Sequence, residues 1–148
     1  MTVKRAYTLI EILIVLALIS LIMAIAIPSF GILNTIKENQ EFSELKRDLL
    51  MSRHKAIVEN CPYEFKIDLD KNMYEIYKTN NTNLIKSKTF ESGLKFIRTV
   101  DTTTNVVIFS PSGSPSRSGS FVLKKRNGDK YRFAIVVTSG KLNIYSIK

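Results

Sequence analysis

The sequence predicts an α+β fold in which a long N-terminal helix precedes a block of antiparallel strands. Three observations lead to this reading. An apolar run extends almost unbroken from Tyr7 to Ile27. An amphipathic stretch follows it as far as Asn60. From Cys61 onwards, short segments alternate apolar with polar residues between clusters of Gly, Pro, Asn, Asp and Ser, which is the pattern of strands and turns. With 148 residues, the chain is sized for one domain plus an apolar arm.

The apolar run is long enough, at ~32 Å of helix, to cross a bilayer core of about 30 Å. Lys4 and Arg5 precede it and predict a cytoplasmic N-terminus. Ser20 can bond back to its own helix, and Pro28 and Gly31 loosen the far end. Glu11 is the residue out of place. A lone carboxylate in such a segment costs roughly 2.5–3.5 kcal/mol at the centre of a span and less near an end. Such a residue usually has a partner and a function. A secretory signal is another reading, because Met23-Ala24-Ile25-Ala26 supplies an A-x-A-like cleavage site, although a signal core has no use for Glu11. A plain membrane anchor is a further one.

Ala6 followed by Tyr7-Thr8-Leu9-Ile10-Glu11, behind a short basic leader, resembles the start of type IV pilin and pseudopilin precursors. Those have a small residue, normally Gly, before the cut and then Phe-Thr-Leu-Ile-Glu; Ala6 and Tyr7 are the departures. The resemblance implies a leader over 1–6, removed by a prepilin peptidase that cuts between Ala6 and Tyr7 and N-methylates Tyr7. It also implies a transmembrane and filament-core helix over 7–31, with Pro28 where that helix can melt on assembly, and a globular head over 32–148. Glu11 then has a role in subunit assembly. The new amine on Tyr7 would be positively charged, and Glu11 of the same or a neighbouring chain would neutralise it in a low-dielectric bundle, where an unpaired charge is expensive. That pairing would set the axial register between subunits.

In the second part of the helix, Phe42, Leu45, Leu49 and Ala56 recur at intervals of three and four, with Ser52 or Arg53 at the intermediate turn. The stripe predicts a core-facing side. Lys37, Glu38, Glu41, Glu44 and Lys46-Arg47-Asp48 are expected on the other faces, and Cys61-Pro62 to end the helix. His54 has no metal-ligand neighbour in sequence and is expected to be exposed.

The strands follow in order. Phe65, Ile67 and Leu69 alternate with polar residues, Asp70-Lys71-Asn72 turns, and Tyr74 and Ile76 return in a hairpin. After a polar loop at 79–83, Leu84 to Phe90 and Leu94 to Arg98 are strand candidates. Asp101 to Asn105 loops again, Val106 to Phe109 is a short buried strand, and Ser110 to Gly119 is a breaker-rich loop. Ser120 to Lys125 turns at Asn127-Gly128, the strongest hairpin signal in the chain. The return strand puts Tyr131, Phe133, Ile135 and Val137 on one face. Thr138-Ser139-Gly140 turns into a final strand with Leu142 and Ile144.

Three stretches resemble the GspH/FimT group of minor pseudopilins: Arg53, Ala56 and Ile57 near the helix end; Phe109-x-Pro111-x-Gly113 with Gly119-x-Phe121-x-Leu123; and Ser139-Gly140-Lys141-Leu142. The fold this implies is pilin-like, with the long helix packed on antiparallel β-sheets.

Composition narrows the function classes. The single Cys61 excludes an internal disulfide. One His and one Cys provide no convincing nucleophile and base and no metal cluster. The Ser110 to Gly119 loop lacks phosphate-loop spacing. No enzyme activity and no cofactor are therefore expected. The net charge of +9 could attract DNA, anionic lipid or an acidic wall polymer, or serve solubility alone. The resemblance implies a structural minor pilin or pseudopilin of a type II secretion, type IV pilus or competence filament. Its partners would be the prepilin peptidase, the membrane and, through the N-terminal helix, other pilins. It would cross the inner or cytoplasmic membrane once before joining a cell-surface or periplasmic filament, with its head outside the cytoplasm. The alternative is a tip-associated minor pilin that captures DNA through Lys124, Lys125, Arg126, Lys130, Arg132 and Lys141, with strongly salt-dependent binding. Strand alternation divides those residues between faces, and edge lysines also block unwanted strand pairing, so a solvated edge is the simpler reading of the same cluster.

Overall fold

A computed structural model describes residues 8–26, 30–78, 83–100, 102–116, 118–137 and 140–147. The leader, Ala6, Tyr7, Pro28, most of the 79–83 loop and the Thr138-Ser139 turn lie outside the described residues. The chain divides into two units, Met1–Asn34 and Thr35–Lys148.

The first unit contains α1 (Leu9–Ala26). Thr8 opens it, its carbonyl accepting the N–H groups of Glu11 at 3.1 Å and Ile12 at 3.3 Å. The Ser20 hydroxyl donates to the carbonyl of Ala17 at 2.8 Å, so it is satisfied within the helix. Residues 9–24 are exposed on every side. Among the described residues, no helix is long and apolar enough to cross a membrane. As described, α1 rises ~27 Å, short of the bilayer core of about 30 Å. Tyr7 and Ile27, the ends of the predicted span, fall outside the described residues.

The second unit is built on α2 (Phe30–Val58), which begins just before the unit's boundary. The predicted stripe is on the core side: Leu45, Leu49, Ala56 and Ser52 are buried, and Phe42 packs against the core. His54 is exposed, as expected. The helix ends earlier than Cys61-Pro62 suggested. Asn60 has a left-handed φ of 47°; its N–H reaches the carbonyl of Ile57 at 3.4 Å, and that of Cys61 reaches Ala56 at 3.2 Å. This is a Schellman cap with Asn in the position usually held by Gly.

Eight strands follow: β1 (Tyr63–Asp68), β2 (Met73–Lys78), β3 (Asn83–Thr89), β4 (Lys95–Ile97), β5 (Val106–Phe109), β6 (Gly119–Lys124), β7 (Lys130–Ile135) and β8 (Leu142–Ile147). They form two four-stranded antiparallel sheets, ordered β3-β2-β1-β5 and β4-β6-β7-β8. Both predicted hairpins are present. At the second, Gly128 takes a φ of 95°, its N–H meets the carbonyl of Lys125 at 3.0 Å, and Lys125 N–H meets the carbonyl of Asp129 at 2.8 Å. The connection is a three-residue loop with a glycine bulge, in place of the two-residue turn that Asn-Gly most often signals. Leu69 and Val137 fall in turns beyond the strands to which the alternation extended them.

One apolar core joins α2 to both sheets. Its centre is a chain of rings. Phe65 stacks on Tyr74 at 5.0 Å and Phe121 on Phe133 at 5.0 Å. Phe90 and Phe96 bridge the two pairs through contacts of 5.8, 5.1 and 5.9 Å. Large aromatic surfaces removed from water supply most of such a core's stability.

Candidate functional site

Two regions hold the residues singled out from the sequence: the start of α1 and the C-terminal hairpin. A third group, on α2, was expected to face solvent and does not.

At the start of α1, Glu11 is in the first turn. Free N–H groups there favour a carboxylate, and Thr8-x-x-Glu11 is the spacing of a capping box. The helix end therefore tolerates this acid without a partner chain. Glu11 shares a shallow apolar groove with Ile12, Val15 and Leu16. Apart from Glu11, Thr8 and Ser20, the described residues 8–24 are all apolar, and such a surface calls for an apolar environment or other helices around it.

On α2, Glu38, Glu41 and Asp48 are buried. Glu38 accepts the Arg126 backbone N–H at 2.7 Å. Glu41 accepts the N–H groups of Glu91 and Ser92, at 3.0 and 3.3 Å, and the Ser92 hydroxyl at 2.5 Å. Asp48 takes the Tyr74 hydroxyl at 2.5 Å and the Lys86 ammonium at 2.7 Å. Glu44 holds the same ammonium at 2.6 Å. The four acids thus tie one helix to a hairpin loop of the second sheet, to the β3–β4 connection and to the first sheet. Their buried oxygens are satisfied by partners far along the chain, which local periodicity cannot reveal. The Lys86 ion pair and hydrogen bond hold Glu44 below the usual carboxylate range against the opposing effect of burial. Burial, and then the Asp48 acceptor, push Tyr74 far above the ordinary phenol range, so its O–H stays a donor.

The structure divides the six basic residues of the C-terminal cluster. Lys124 on β6 faces Lys130 on β7, directly cross-strand. Arg132 follows one rung along on the same face, opposite Val122. Lys125 turns toward the helix: its ammonium donates to Asn39 at 2.7 Å and is 5.2 and 5.3 Å from the ring centres of Phe42 and Tyr131. Arg126 is exposed in the loop. Lys141 precedes β8 at the other end of the sheet, its carbonyl accepting Val136 N–H at 3.2 Å. The sequence reading missed Lys95. It is directly opposite Lys124 on β4, and only the long-range pairing of β4 with β6 brings it there. Among the described residues, no group of His, Cys, Asp or Glu side chains could hold a metal ion.

Comparison with known proteins follows the same division. Residues 41–141, more than half of the chain, match the family of type II transport protein GspH. The chain belongs to the GspH family. Residues 1–27 match the prokaryotic N-terminal methylation motif. In fold, this GspH-family chain is similar to the minor pseudopilin EpsH from the type 2 secretion system of Vibrio cholerae. The TM-score is 0.59 at 14% identity, covering 74% of this chain and 97% of that one. A search of curated proteins finds no match.

Membership narrows the three machines left open by the sequence to type II secretion. The GspH-family chain is a minor pseudopilin, a structural subunit and not an enzyme. Its N-terminal motif marks it for prepilin peptidase processing and for assembly with other pseudopilins. It is anchored in the inner membrane before it joins a periplasmic pseudopilus.

Proposed function

We propose that this GspH-family subunit is cut between Ala6 and Tyr7 and docks into the pseudopilus through α1, with Glu11 neutralising the methylated amine of Tyr7 on its own or an adjacent chain. Its head faces the periplasm. The observation that carries the reading is a helix apolar on every described side whose only charged residue, Glu11, is in its first turn. A bundle of such helices excludes water, and there a carboxylate and an amine stabilise each other far more than at a surface.

The N-terminus and intact mass of the protein from cells with and without the peptidase test the first step. A peptidase-dependent start at Tyr7, with a methylated amine, is the expected result. A start at Ile27 indicates an ordinary signal sequence, and an uncut Met1 a plain anchor; either result ends the reading.

Glu11 is tested by two substitutions that separate charge from helix capping. Glu11→Gln keeps an acceptor for the capping box but has no charge; Glu11→Ala lacks both. Both variants should reach the membrane in normal amount, and both should be depleted from isolated pseudopili, the expected loss being roughly ten-fold for ~1.4 kcal/mol of lost pairing. Normal incorporation of Glu11→Gln would leave Glu11 as a helix cap alone.

A further inference from the structure

Lys95, Lys124 and Lys130 form one rung across β4, β6 and β7, each directly opposite the next. Neighbouring strands are about 4.8 Å apart, and like charges facing one another across strands are destabilising. None of the three makes an ion pair among the described residues, and neither does Arg126, in the adjoining loop. The nearest acid in sequence, Asp129, is engaged with Asn127 at 2.7 Å. A row of cations that costs the fold stability, with no ion pair among the described residues, has the character of a surface completed by something else.

The place is also built. Lys95, Lys124, Lys125 and Arg126 line an open cleft of about 380 Å³ with Gly93. Gly93 has a φ of 102°, and a Cβ there would fall 2.5 Å from Arg126 Cγ and 2.6 Å from its Cδ. The glycine lets the arginine lie across the backbone at the rim. Buried Glu38 grips the Arg126 N–H. Asn72 clamps the short β4 on both sides of Lys95, its Nδ2 donating to the carbonyl of Leu94 at 2.8 Å and its Oδ1 accepting the Phe96 N–H at 2.9 Å. The cations are therefore held on a preorganised frame, which lowers the ordering cost of binding.

We propose that this cleft, together with Lys130 on the rung beside it, is a docking site for an acidic segment of a partner protein, whose carboxylates pair with Lys95, Lys124, Lys130 and Arg126. The same outer face presents apolar and aromatic side chains beside the cations: Ile147 ends the lysine rung, and the next rung carries Ile97 and the exposed Tyr145. A mixed basic and apolar face suits a protein surface, with its apolar core and charged rim, better than a phosphate backbone. DNA capture by the six-residue cluster is the competing occupant. Of those six, Lys125 is directed to α2 and Lys141 is at the far end of the sheet. The docking site stands independently of the role proposed for Glu11.

The test uses the full-length protein in detergent micelles and a fluorescein-labelled hexaglutamate peptide, read by anisotropy across a salt series. Binding is expected at low ionic strength. Lys124→Glu and Lys130→Glu should each weaken it roughly ten-fold or more, because a rim cation becomes a repulsive anion. Lys141→Glu makes the same charge change at the other end of the sheet and should leave affinity within about two-fold, beyond general charge effects. Thermal melting of the free Lys124→Glu protein should occur at the same or a higher temperature, since cross-strand repulsion is relieved. The proposal is overturned if the peptide fails to bind at low salt or if Lys141→Glu costs as much as Lys124→Glu. Tighter binding of an oligonucleotide of equal charge, with the same dependence on Lys124 and Lys130, would make the surface a nucleic-acid site instead.

Discussion

Asp48→Ala is expected to destabilise the head by about 3 kcal/mol, the low end of the cost of breaking a buried ion pair. The reason is what the carboxylate leaves behind. Tyr74 is fully buried and would lose the acceptor of its hydroxyl; an orphaned buried donor costs roughly 1–3 kcal/mol. Lys86 would keep only Glu44 at 2.6 Å, and its side chain is just 30% exposed. Urea denaturation of the full-length protein in detergent measures the change. Adding Tyr74→Phe to Asp48→Ala should recover part of the loss, because the stranded hydroxyl is gone; strict additivity of the two substitutions would show that the hydrogen bond contributes nothing.

The same network gives a pH dependence with a defined sign. Glu44 is held below its ordinary value of 4.5, chiefly by its hydrogen bond to Lys86. Its contribution is complete above that value and is lost as pH falls through the lower folded value. For Lys86, burial lowers the pKa, but hydrogen bonds to Asp48 and Glu44 outweigh it and raise the pKa above 10.5. That contribution is present below 10.5 and is lost as pH rises through the higher folded value. Wild-type protein should therefore hold its latch from about pH 4.5 to 10.5, and Asp48→Ala should flatten the alkaline limb of the stability curve.

Phe121→Ala should cost about 3–5 kcal/mol. Phe121 is almost fully buried, stacked 5.0 Å from Phe133, with Phe96 at 5.9 Å. Its removal opens a cavity and breaks the chain of rings within the second sheet, between Phe96 and Phe133. Domains of this kind have only about 5–15 kcal/mol in total, so the variant should be partly unfolded at moderate urea. Because the rings couple the sheets, signals from both should shift together. Separate transitions would mean that the two sheets unfold independently. Leu84→Ala, at a half-exposed position on β3, is the control and should change stability by less than about 0.5–1 kcal/mol.

How much of this was legible depends on the range of the interaction. The apolar run and its single acid, the core stripe of Phe42, Leu45, Leu49 and Ala56, and the hairpins at 70–72 and 126–128 are local features. Their side chains repeat with the period of the backbone they belong to, so the α+β class follows from residues near one another in the chain. The N-terminal motif is local too, and Glu11 stands out within five consecutive residues.

Tertiary structure decided what depends on distant partners. Glu38, Glu41 and Asp48 look like solvent-facing residues on a helical wheel, and they are buried because their acceptors meet donors 88, 51 and 26 residues away. Lys124 and Lys125 are adjacent in sequence, yet strand alternation sends one to the outer face and the other toward Phe42 and Asn39. The three residues of β4 could belong to either sheet by sequence alone. Their pairing with β6 is what sets Lys95 beside Lys124 and makes a cleft from scattered lysines. Sequence by itself settled the helix, the strands and the membrane-proximal motif because hydrophobic periodicity is a local property. It could not settle which charges are buried or clustered, because that is determined by the packing of segments far apart in the chain.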